Sequence, residues 1–367
     1  MNQLFQIGDD LGPEKVISIY HPKPGLRAIV VVDSVAAGPA IGGCRMAPDV
    51  TLEECLRLAR AMTMKNAAAG LPHGGAKSVI AADPRMPVER KDQLIRAFAH
   101  AIRDLKDYIV GPDMGTSESD MARVHDEIGR AVGLPREVGG IPLDEIGATG
   151  FGLAVAAEVA QEFCEFKLAG ARVAVQGFGA VGKHAARFLA DRGTILVAAS
   201  DSGGTIVNPK GLDVKALIEL KNKGKSVAEF RGGERLGRDA IVGVDCEIWI
   251  PAARPDVITM TNVDSIRAKL ILQGANIPSS AEAEERLHQR GILSVPDFIA
   301  NAGGVICAAV EYHGGTQSLA FQTIEEKIRE NTRAVLAAMR DRKVSPRQAA
   351  VDLARERVVT AMAYRRF

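Results

Sequence analysis

Two lysines, Lys65 and Lys77, lie in a segment made largely of alanine, glycine and apolar residues, MKNAAAGLPHGGAKSVI (64–80). Taken alone, each lysine would be expected to extend its ammonium group to solvent. A carboxylate at Asp113, in IVGPDMGTSESDM (109–121), changes that expectation. Two ammonium groups and one carboxylate could surround a small zwitterion. One lysine would hold the carboxylate of the zwitterion, and the other, desolvated beside a like charge, would act as an acid or base.

The elements that must position these groups are a helix and the strand that follows it. Residues 51–69 begin with a capping-box pattern and carry apolar residues at helical spacing, so they predict a helix that ends soon after Lys65. The run SVIAA (78–82) predicts a strand that begins directly after Lys77. The short loop between helix and strand could therefore bring both lysines to one cleft.

A second motif indicates a dinucleotide site. GFGAVG (177–182) follows a predicted strand, ARVAVQ (171–176), opens a predicted helix, and precedes an acidic residue, Asp201, by 24 positions. In this motif the glycines allow a tight turn, close approach of the backbone to a pyrophosphate and close helix–strand packing. A tight strand–helix turn without a nucleotide is the alternative. The predicted cofactor-binding residues of this segment are Gly177, Phe178, Gly179, Ala180, Val181, Gly182 and Asp201.

The acidic residue favours NAD as the cofactor. Asp201 would accept hydrogen bonds from the adenosine ribose hydroxyls, and its charge would repel a 2′-phosphate. No arginine follows within the next twenty-nine residues to receive such a phosphate.

Composition limits the class of protein. The chain has 367 residues, 47% hydrophobic and 25% charged, with a formal net charge of +1, which fits about two globular domains and offers no bulk charge for nucleic acid or a membrane surface. Its five scattered cysteines include no CxxC pair, which argues against a disulfide framework or a metal site. No apolar run reaches membrane-spanning length. We therefore expect a cytoplasmic protein with no metal, nucleic-acid or membrane partner.

The alternation of strands and helices predicts the fold. It indicates an α/β protein: an N-terminal α/β substrate domain, then a Rossmann-type doubly wound NAD-binding domain with a parallel sheet covered by helices on both faces, and C-terminal helices that pack back on the first domain. Glycine and proline cluster across residues 132–150, the expected linker. The predicted domains are residues 1–144, 145–335 and 336–367.

Seven motifs stand in one order along the chain: GPAIGGCRM, MTMKNAAAGLPHGGAKSVI, GPDMGT, ATGFG, VQGFGAVG, QGANIPSS and NAGGVICAAVEY. In this order the chain resembles the glutamate/leucine/phenylalanine/valine dehydrogenase family over essentially its full length. The resemblance implies that Lys65 binds the substrate α-carboxylate, that Lys77 polarises the reacting carbon and activates water, and that Asp113 transfers protons. It also places Thr149 and Asn276 around the nicotinamide and its ribose.

The resemblance implies NAD-dependent, reversible oxidative deamination of an L-amino acid to a 2-oxo acid and ammonia, by a homo-oligomer. Glutamate dehydrogenase is the alternative within the family. A catalytically silent NAD-binding regulatory protein is a third reading. It is disfavoured because such a protein has no need of both lysines and the aspartate together.

Two positions bear on the choice of substrate. Glutamate-specific relatives carry a lysine before the GG of GGxR and a serine four residues after the second glycine of NAGG, where this chain has Ile41, next to Gly42, and Ala308. A side-chain pocket lined by Ile41, Val305 and Ala308 would offer no donor to a γ-carboxylate. We therefore expect an apolar substrate of the leucine, valine or isoleucine type, with phenylalanine as a further candidate. The segment QGANIPSS, by contrast, resembles the glutamate branch.

One departure from the family concerns the backbone before the catalytic lysine. The family usually has three glycines there, whereas this chain has Gly74, Gly75 and Ala76. The added methyl group would strain the main chain if φ were positive at Ala76.

Overall fold

The computed structural model describes residues 7–365, which form two compact units. The first unit comprises the described residues up to Pro142 together with Val305–Ala320 and 352–365. The second comprises Leu143–Gly304 and Phe321–Val351. In the described part of the chain, no helix is both long and apolar enough to cross a membrane.

The first unit contains a five-stranded sheet in the order β1-β2-β4-β3-β5. Its elements are β1 (Lys15–His21), β2 (Leu26–Ser34), β3 (Ala40–Ala47), α1 (Leu52–Ala68), β4 (Gly75–Ala81), α2 (Val88–Ala101), β5 (Tyr108–Pro112) and α3 (Glu118–Ile128). Strands β3, β4 and β5 are parallel, but β1 pairs antiparallel with β2 and β2 antiparallel with β4. The sheet of this α/β unit is therefore mixed, because β1 and β2 form a hairpin instead of being joined by a crossover helix.

Both faces of this sheet are covered, as strand periodicity explains. In β2, Val30 and Val32 belong to the core cluster that includes residues of α2 and α3, whereas Val31 packs with Cys55 and Ala59 of α1 on the opposite face. Alternate residues of a strand point to opposite faces, so this valine run fills two cores at once.

The second unit contains a seven-stranded sheet in the order β12-β11-β10-β6-β7-β8-β9. Its elements are α4 (Leu143–Ile146), α5 (Ala148–Ala160), β6 (Arg172–Gln176), α6 (Ala180–Ala190), β7 (Ile195–Asp201), β8 (Gly204–Val207), α7 (Val214–Asn222), β9 (Glu234–Leu236), β10 (Ile248–Pro251), β11 (Leu270–Leu272), α8 (Ala281–Gln289), β12 (Leu293–Val295) and α9 (Asp297–Ala300). The strands from β12 to β7 are parallel, and β8 and β9 extend the sheet antiparallel. The strand order reverses between β6 and β10, the switch point at which doubly wound sheets bind ligands. The predicted α/β fold class is confirmed.

Three further helices complete the chain: α10 (Gly303–Tyr312), α11 (Gln317–Arg342) and α12 (Pro346–Ala363). Most of α10 belongs to the first unit, where Glu311 accepts hydrogen bonds from the backbone N–H groups of Leu134 and Ile141. Most of α11 belongs to the second unit, where Arg329 forms an ion pair with Glu158 of α5. Residues 305–320 thus belong to the first unit, whereas they were predicted to lie in the second domain (145–335). Residues 336–351 belong to the second unit, whereas they were predicted to belong to the C-terminal segment (336–367). From residue 352 onward, α12 lies in the first unit, as expected of a returning C-terminal segment.

Candidate active site

Three parallel strands of the first unit bring the predicted acid–base residues together. Lys77 is the third residue of β4, so it lies within the strand and not directly before it as predicted. Asp113 directly follows β5. Strand β3 runs between them, with Gly43 in register with Gly111 of β5. A Cβ atom on Gly43 would lie 2.9 Å from the Cβ of Asp113 and 3.3 Å from Nζ of Lys77. The missing side chain on the middle strand therefore leaves the space in which the two side chains meet.

Lys77 and Asp113 form a buried ion pair. The distance between Lys77 Nζ and Asp113 Oδ2 is 2.5 Å, and the two side chains are only 7% and 23% exposed. The charge next to the Lys77 ammonium is therefore a carboxylate. A lysine this deeply buried has not extended its charge to solvent, so the general expectation for an isolated lysine does not hold here.

The pKa of Asp113 is held below its ordinary value. Burial by itself would raise the pKa of this carboxyl group, but the charge and hydrogen bond of Lys77 and the charge of Arg45 outweigh burial. Because a proton acceptor must be ionised, this environment keeps Asp113 ready to accept a proton.

Arg45, which the sequence analysis did not assign, is a third member of this cluster. Its Nε lies 3.3 Å from Asp113 Oδ2, and its Nη1 contacts the carboxylate of Glu54 on α1. Strand periodicity was the available signal, since Arg45 lies two residues after Gly43 and therefore on the same face of β3.

Thr116 is a second residue that sequence reasoning missed. Its hydroxyl oxygen accepts a hydrogen bond from the backbone N–H of Asp113 at 2.9 Å, and the hydroxyl donates to the carbonyl of Cys44 at 2.8 Å. Thr116 thereby ties the turn that carries Asp113 to β3. Only the general preference of threonine for local backbone hydrogen bonds could have suggested this role.

Lys65 lies in the last turn of α1, as predicted, and is half-buried. Helix α1 packs closely on β4: a Cβ atom on Gly75 would lie 2.0 Å from the backbone nitrogen of Thr63. This contact brings the end of α1 against the start of the strand that carries Lys77. The role of Lys65 as the carboxylate-binding residue stays a prediction.

The glycines before Lys77 are required by close packing. A Cβ atom on Gly74 would lie 1.7 Å from the carbonyl oxygen of Ser34, so neither Gly74 nor Gly75 has room for a side chain. Ala76 lies within β4 and is not among the non-glycine residues with positive φ. The expected condition for strain at Ala76, a positive φ, is absent.

The predicted substrate-pocket residues all belong to the first unit. Ile41 and Gly42 lie in β3 directly before Gly43, and Ile41 is buried. Val305 and Ala308 lie three residues apart on α10, hence on one face of that helix. Their convergence on one substrate pocket stays a prediction.

The glycine-rich segment of the second unit has the geometry that a nucleotide pyrophosphate requires. Gly177 has φ of +86°, and a Cβ atom on Gly182 would lie 2.1 Å from the carbonyl oxygen of Gly177. The position of a Cβ atom on Gly179 is open, with no heavy atom within 4 Å. Gly179 caps α6 without a side-chain hydrogen bond, so N–H groups of the first turn remain available to phosphate oxygens. The segment fits a bound dinucleotide.

Asp201 lies at the end of β7, where a ribose-binding acidic residue is expected, but its carboxylate is engaged within the unit. Oδ1 accepts hydrogen bonds from Gly203 N–H and the Ser226 hydroxyl, and Oδ2 accepts from Lys221 Nζ at 2.7 Å and Val227 N–H. Although burial would raise the pKa of Asp201, these hydrogen bonds lower it overall. A carboxylate has about four acceptor positions, so none is left for a ribose hydroxyl in this arrangement. The simple charge argument for NAD is weakened, because Lys221 compensates the charge of Asp201.

The remaining predicted cofactor residues also lie in the second unit. Thr149 is the second residue of α5, and Asn276 lies in the loop after β11. The side-chain amide of Asn301 donates a hydrogen bond to Oδ1 of Asn276 at 3.1 Å. Phe178 is fully buried, whereas Ala180 and Val181 form the first turn of α6. The roles of these residues toward a nucleotide stay predictions.

A dinucleotide-binding sheet in one unit and a buried lysine–aspartate pair in the other are features of a nicotinamide-dependent dehydrogenase. The family model described as Glutamate/Leucine/Phenylalanine/Valine dehydrogenase matches residues 139–366, and the dimerisation-domain model of the same family matches residues 13–130. The chain belongs to the glutamate/leucine/phenylalanine/valine dehydrogenase family, so the family resemblance is confirmed.

Named relatives place the chain among amino-acid dehydrogenases. It is 38% identical to a glutamate dehydrogenase of Aeropyrum pernix, covering 90% of this chain and 84% of the relative. It is 36% identical to an NADP(+)-dependent glutamate dehydrogenase of Pyrobaculum calidifontis, covering 89% and 83%. The crystal structure of L-tryptophan dehydrogenase from Nostoc punctiforme superposes with a TM-score of 0.76 at 28% identity, covering 98% of this chain and 99% of that one.

The contact between Arg45 and Asp113 leads to a prediction about pH. Replacing Arg45 with methionine should raise the pKa of Asp113, so the acidic limb of the kcat/KM profile for deamination should move to higher pH by about one unit. Arg45→Lys, which keeps the positive charge, should leave the acidic limb close to its wild-type position. An acidic limb that stays in place in Arg45→Met would contradict this role, and Arg85→Met, at an exposed site of the same unit, is the control.

Proposed function

We propose that this protein catalyses the reversible oxidative deamination of an L-amino acid to the 2-oxo acid and ammonia with a nicotinamide dinucleotide. The observation that carries the proposal is the 2.5 Å contact between Lys77 Nζ and Asp113 Oδ2 at a buried position. Lysine and aspartate in direct contact can exchange a proton, and both side chains match the catalytic positions of the family.

The residues of the first unit divide the chemistry between them. Lys65 binds the α-carboxylate of the substrate by charge. Asp113 accepts a proton from the substrate ammonium, because only the neutral amine can give up a hydride from Cα. The Lys77 ammonium then orients the water that adds to the imine carbon. Asp113, once it has released its first proton to solvent, takes a proton from that water and gives it to the nitrogen. The C–N bond then breaks, ammonia leaves, and the remaining hydroxyl proton is lost as the carbonyl of the 2-oxo acid forms.

The second unit supplies the binding site for the nicotinamide dinucleotide, which is the oxidant of the reaction. Residues 177–182 would hold the pyrophosphate of a nicotinamide dinucleotide, which would supply the acceptor for the hydride that leaves Cα. The open position at Gly179 and the uncapped start of α6 support binding of its pyrophosphate. The sequence favours NAD, whereas one relative is NADP(+)-dependent. We infer that the Asp201–Lys221 ion pair, rather than Asp201 alone, sets the choice between the two.

Two substrate assignments remain, and different observations favour each. The names of the curated relatives favour glutamate over an apolar amino acid. The residues at the predicted pocket favour an apolar amino acid, because the buried Ile41 and Ala308 can give a γ-carboxylate no donor. The tryptophan dehydrogenase with the same fold is a member of known structure named for an apolar substrate. We propose the apolar assignment, with leucine, valine and isoleucine as leading candidates.

The protein is proposed to act as a homo-oligomer. The support is the match of residues 13–130 to the dimerisation domain of the family.

The first test of the function is the acid–base pair. Lys77→Ala and Asp113→Asn should each lower kcat by at least about 10²-fold, the scale expected for a positioned acid or base, and Lys65→Ala should raise KM for the amino acid. NADH and NADPH formation across a panel of L-amino acids measures these effects, with exposed Lys106→Ala as the control. Near wild-type turnover in both Lys77→Ala and Asp113→Asn would refute the mechanism.

The second test concerns the substrate. An unpaired buried carboxylate costs several kcal/mol, so glutamate should fall below leucine in kcat/KM by ~10³ or more. Ile41→Lys combined with Ala308→Ser should move the preference toward glutamate, whereas Ile41→Met with Ala308→Ser, which adds no charge, should not. If the wild-type protein prefers glutamate, the apolar assignment is wrong and a cation from another element must reach the pocket.

The third test concerns the nucleotide. Lys221→Met should leave the charge of Asp201 uncompensated, so kcat/KM for NADP⁺ should fall relative to NAD⁺ by about tenfold, which corresponds to about 1.4 kcal/mol. Lys225→Met, at an exposed position nearby, should leave the ratio unchanged. An unchanged ratio in Lys221→Met would show that this pair does not set the nucleotide preference.

A further inference from the structure

The loop that carries Asn276 contains a residue in an unfavourable backbone conformation. Ile277 has φ of +49°, and it is one of three non-glycine residues with positive φ among residues 7–365. The left-handed region is strained for a β-branched residue, because its Cβ crowds the backbone. Such a conformation persists only where surrounding contacts impose it, and it is common at ligand-binding sites. The side chain of Ile277 is largely exposed, so packing of this side chain does not supply the constraint.

Hydrogen bonds at both ends of Ile277 supply that constraint: its carbonyl accepts from the backbone N–H of Asp256 at 3.0 Å, and its N–H is bound by a buried carboxylate. Asp297, the first residue of α9, accepts a hydrogen bond from the backbone N–H of Ile277 through Oδ2 at 2.8 Å. Its Oδ1 accepts a hydrogen bond from Nη2 of Arg347 on α12 at 3.0 Å. The Asp297 side chain is only 8% exposed. A charge-assisted hydrogen bond of this kind is stronger than one between neutral groups.

Arg347 is itself fixed by its neighbours. Its guanidinium contacts both carboxylate oxygens of Glu284 on α8 and donates to the side-chain oxygen of Gln273 at 2.9 Å. Arg347 therefore holds Asp297 in one orientation and compensates its buried charge. All these residues belong to the second unit.

The other side of the same loop is also tied down. Gly274 and Ala275 donate their backbone N–H groups to the carbonyl of Pro251 at the end of β10, and Asn301 donates its amide to the Asn276 side chain. Asn276 thus lies between two fixed points. The Ile277–Asp297 bond is the one that fixes the peptide joining Asn276 to Ile277, since the bond from Asp256 holds the carbonyl on the far side of Ile277.

We propose that Asp297, oriented by Arg347, is a positioning residue for nucleotide binding, because it holds Ile277 in the left-handed conformation and thereby fixes the neighbouring Asn276. The inference rests on the proposed function, in which Asn276 lies beside the nicotinamide ribose. Loss of the carboxylate lets Ile277 relax to negative φ, which rotates the peptide that Asn276 shares with it. The nucleotide then binds a loop that must first be reordered, so its affinity falls.

The decisive experiment combines Asp297→Ala with Ile277→Gly. Titration of NADH and NADPH fluorescence should show that Asp297→Ala raises Kd about tenfold or more, while KM for the amino acid at saturating nucleotide changes little. Ile277→Gly in the Asp297→Ala background should recover much of that affinity, because glycine adopts positive φ without strain. Ile277→Gly alone supplies the reference Kd against which the double variant is compared.

Asp297→Asn serves if Asp297→Ala does not fold, since it keeps the volume and an acceptor but loses the charge, and it should give a smaller rise in Kd that Ile277→Gly again reduces. The positioning role is overturned if the nucleotide Kd is unchanged in Asp297→Ala, or if Ile277→Gly does not recover the affinity that Asp297→Ala loses. Either result leaves the proposed function intact. A wild-type protein that binds neither NADH nor NADPH refutes both.

Discussion

The close approach of strand β3 to its two parallel neighbours is the constraint on which the proposed catalytic centre depends. A Cβ atom on Gly42 would lie 1.7 Å from the carbonyl oxygen of Ala76, and one on Gly43 would occupy the space between Lys77 and Asp113. Glycine in a strand interior normally weakens a sheet and is found where another backbone approaches closely. Here two glycines in succession let β4 present a cation, and the residue after β5 an anion, across a point of β3 that carries no side chain.

The buried ion pair of Lys77 and Asp113 is better explained by a role in proton transfer than by a contribution to the stability of the fold. Taking two charges out of water costs free energy that their mutual attraction often fails to repay, and well-packed apolar residues commonly stabilise a core as well. Lys77 lies between Ala76 and Ser78 in β4, and its side chain is only 7% exposed, a position at which an uncharged residue would avoid the cost of burying a charge. The exposed ion pair between Arg96 and Asp126 is a different case, since neither group is removed from water to the same extent. Retaining two buried charges therefore favours a function that needs a proton to move.

Local patterns predicted much of this molecule, and the parts that they missed depend on distant residues. The helix ending near Lys65, the strand before Gly177 and the turn at Gly177–Gly182 follow from capping, periodicity and glycine spacing. The hydrogen bonds that engage the Asp201 carboxylate could not be predicted in this way. Its partners Lys221 and Ser226 lie 20 and 25 residues further on, in a segment without a motif. The direction of β1 and β2 was not predicted, because strand sequences carry little information on direction. The assignment of α10 to the first unit rests on contacts that are distant in sequence, among them those of the buried carboxylate of Glu311 with a loop about 170 residues earlier.

The small number of atoms that recognise a substrate explains why overall similarity is a poor guide to that substrate. Identity of 36–38% to glutamate dehydrogenases is measured over 89–90% of this chain, so it reports the whole fold rather than the few residues of a side-chain pocket. Recognition of a side-chain carboxylate depends on very few atoms, since a single buried cation decides whether its charge is compensated. Under the proposed function, Ile41 bears on substrate preference and Lys221 on nucleotide preference. Neither is one of the glycines whose close backbone contacts hold β3 and the turn at 177–182. Each preference could therefore change while those contacts, and with them the family resemblance, remain intact.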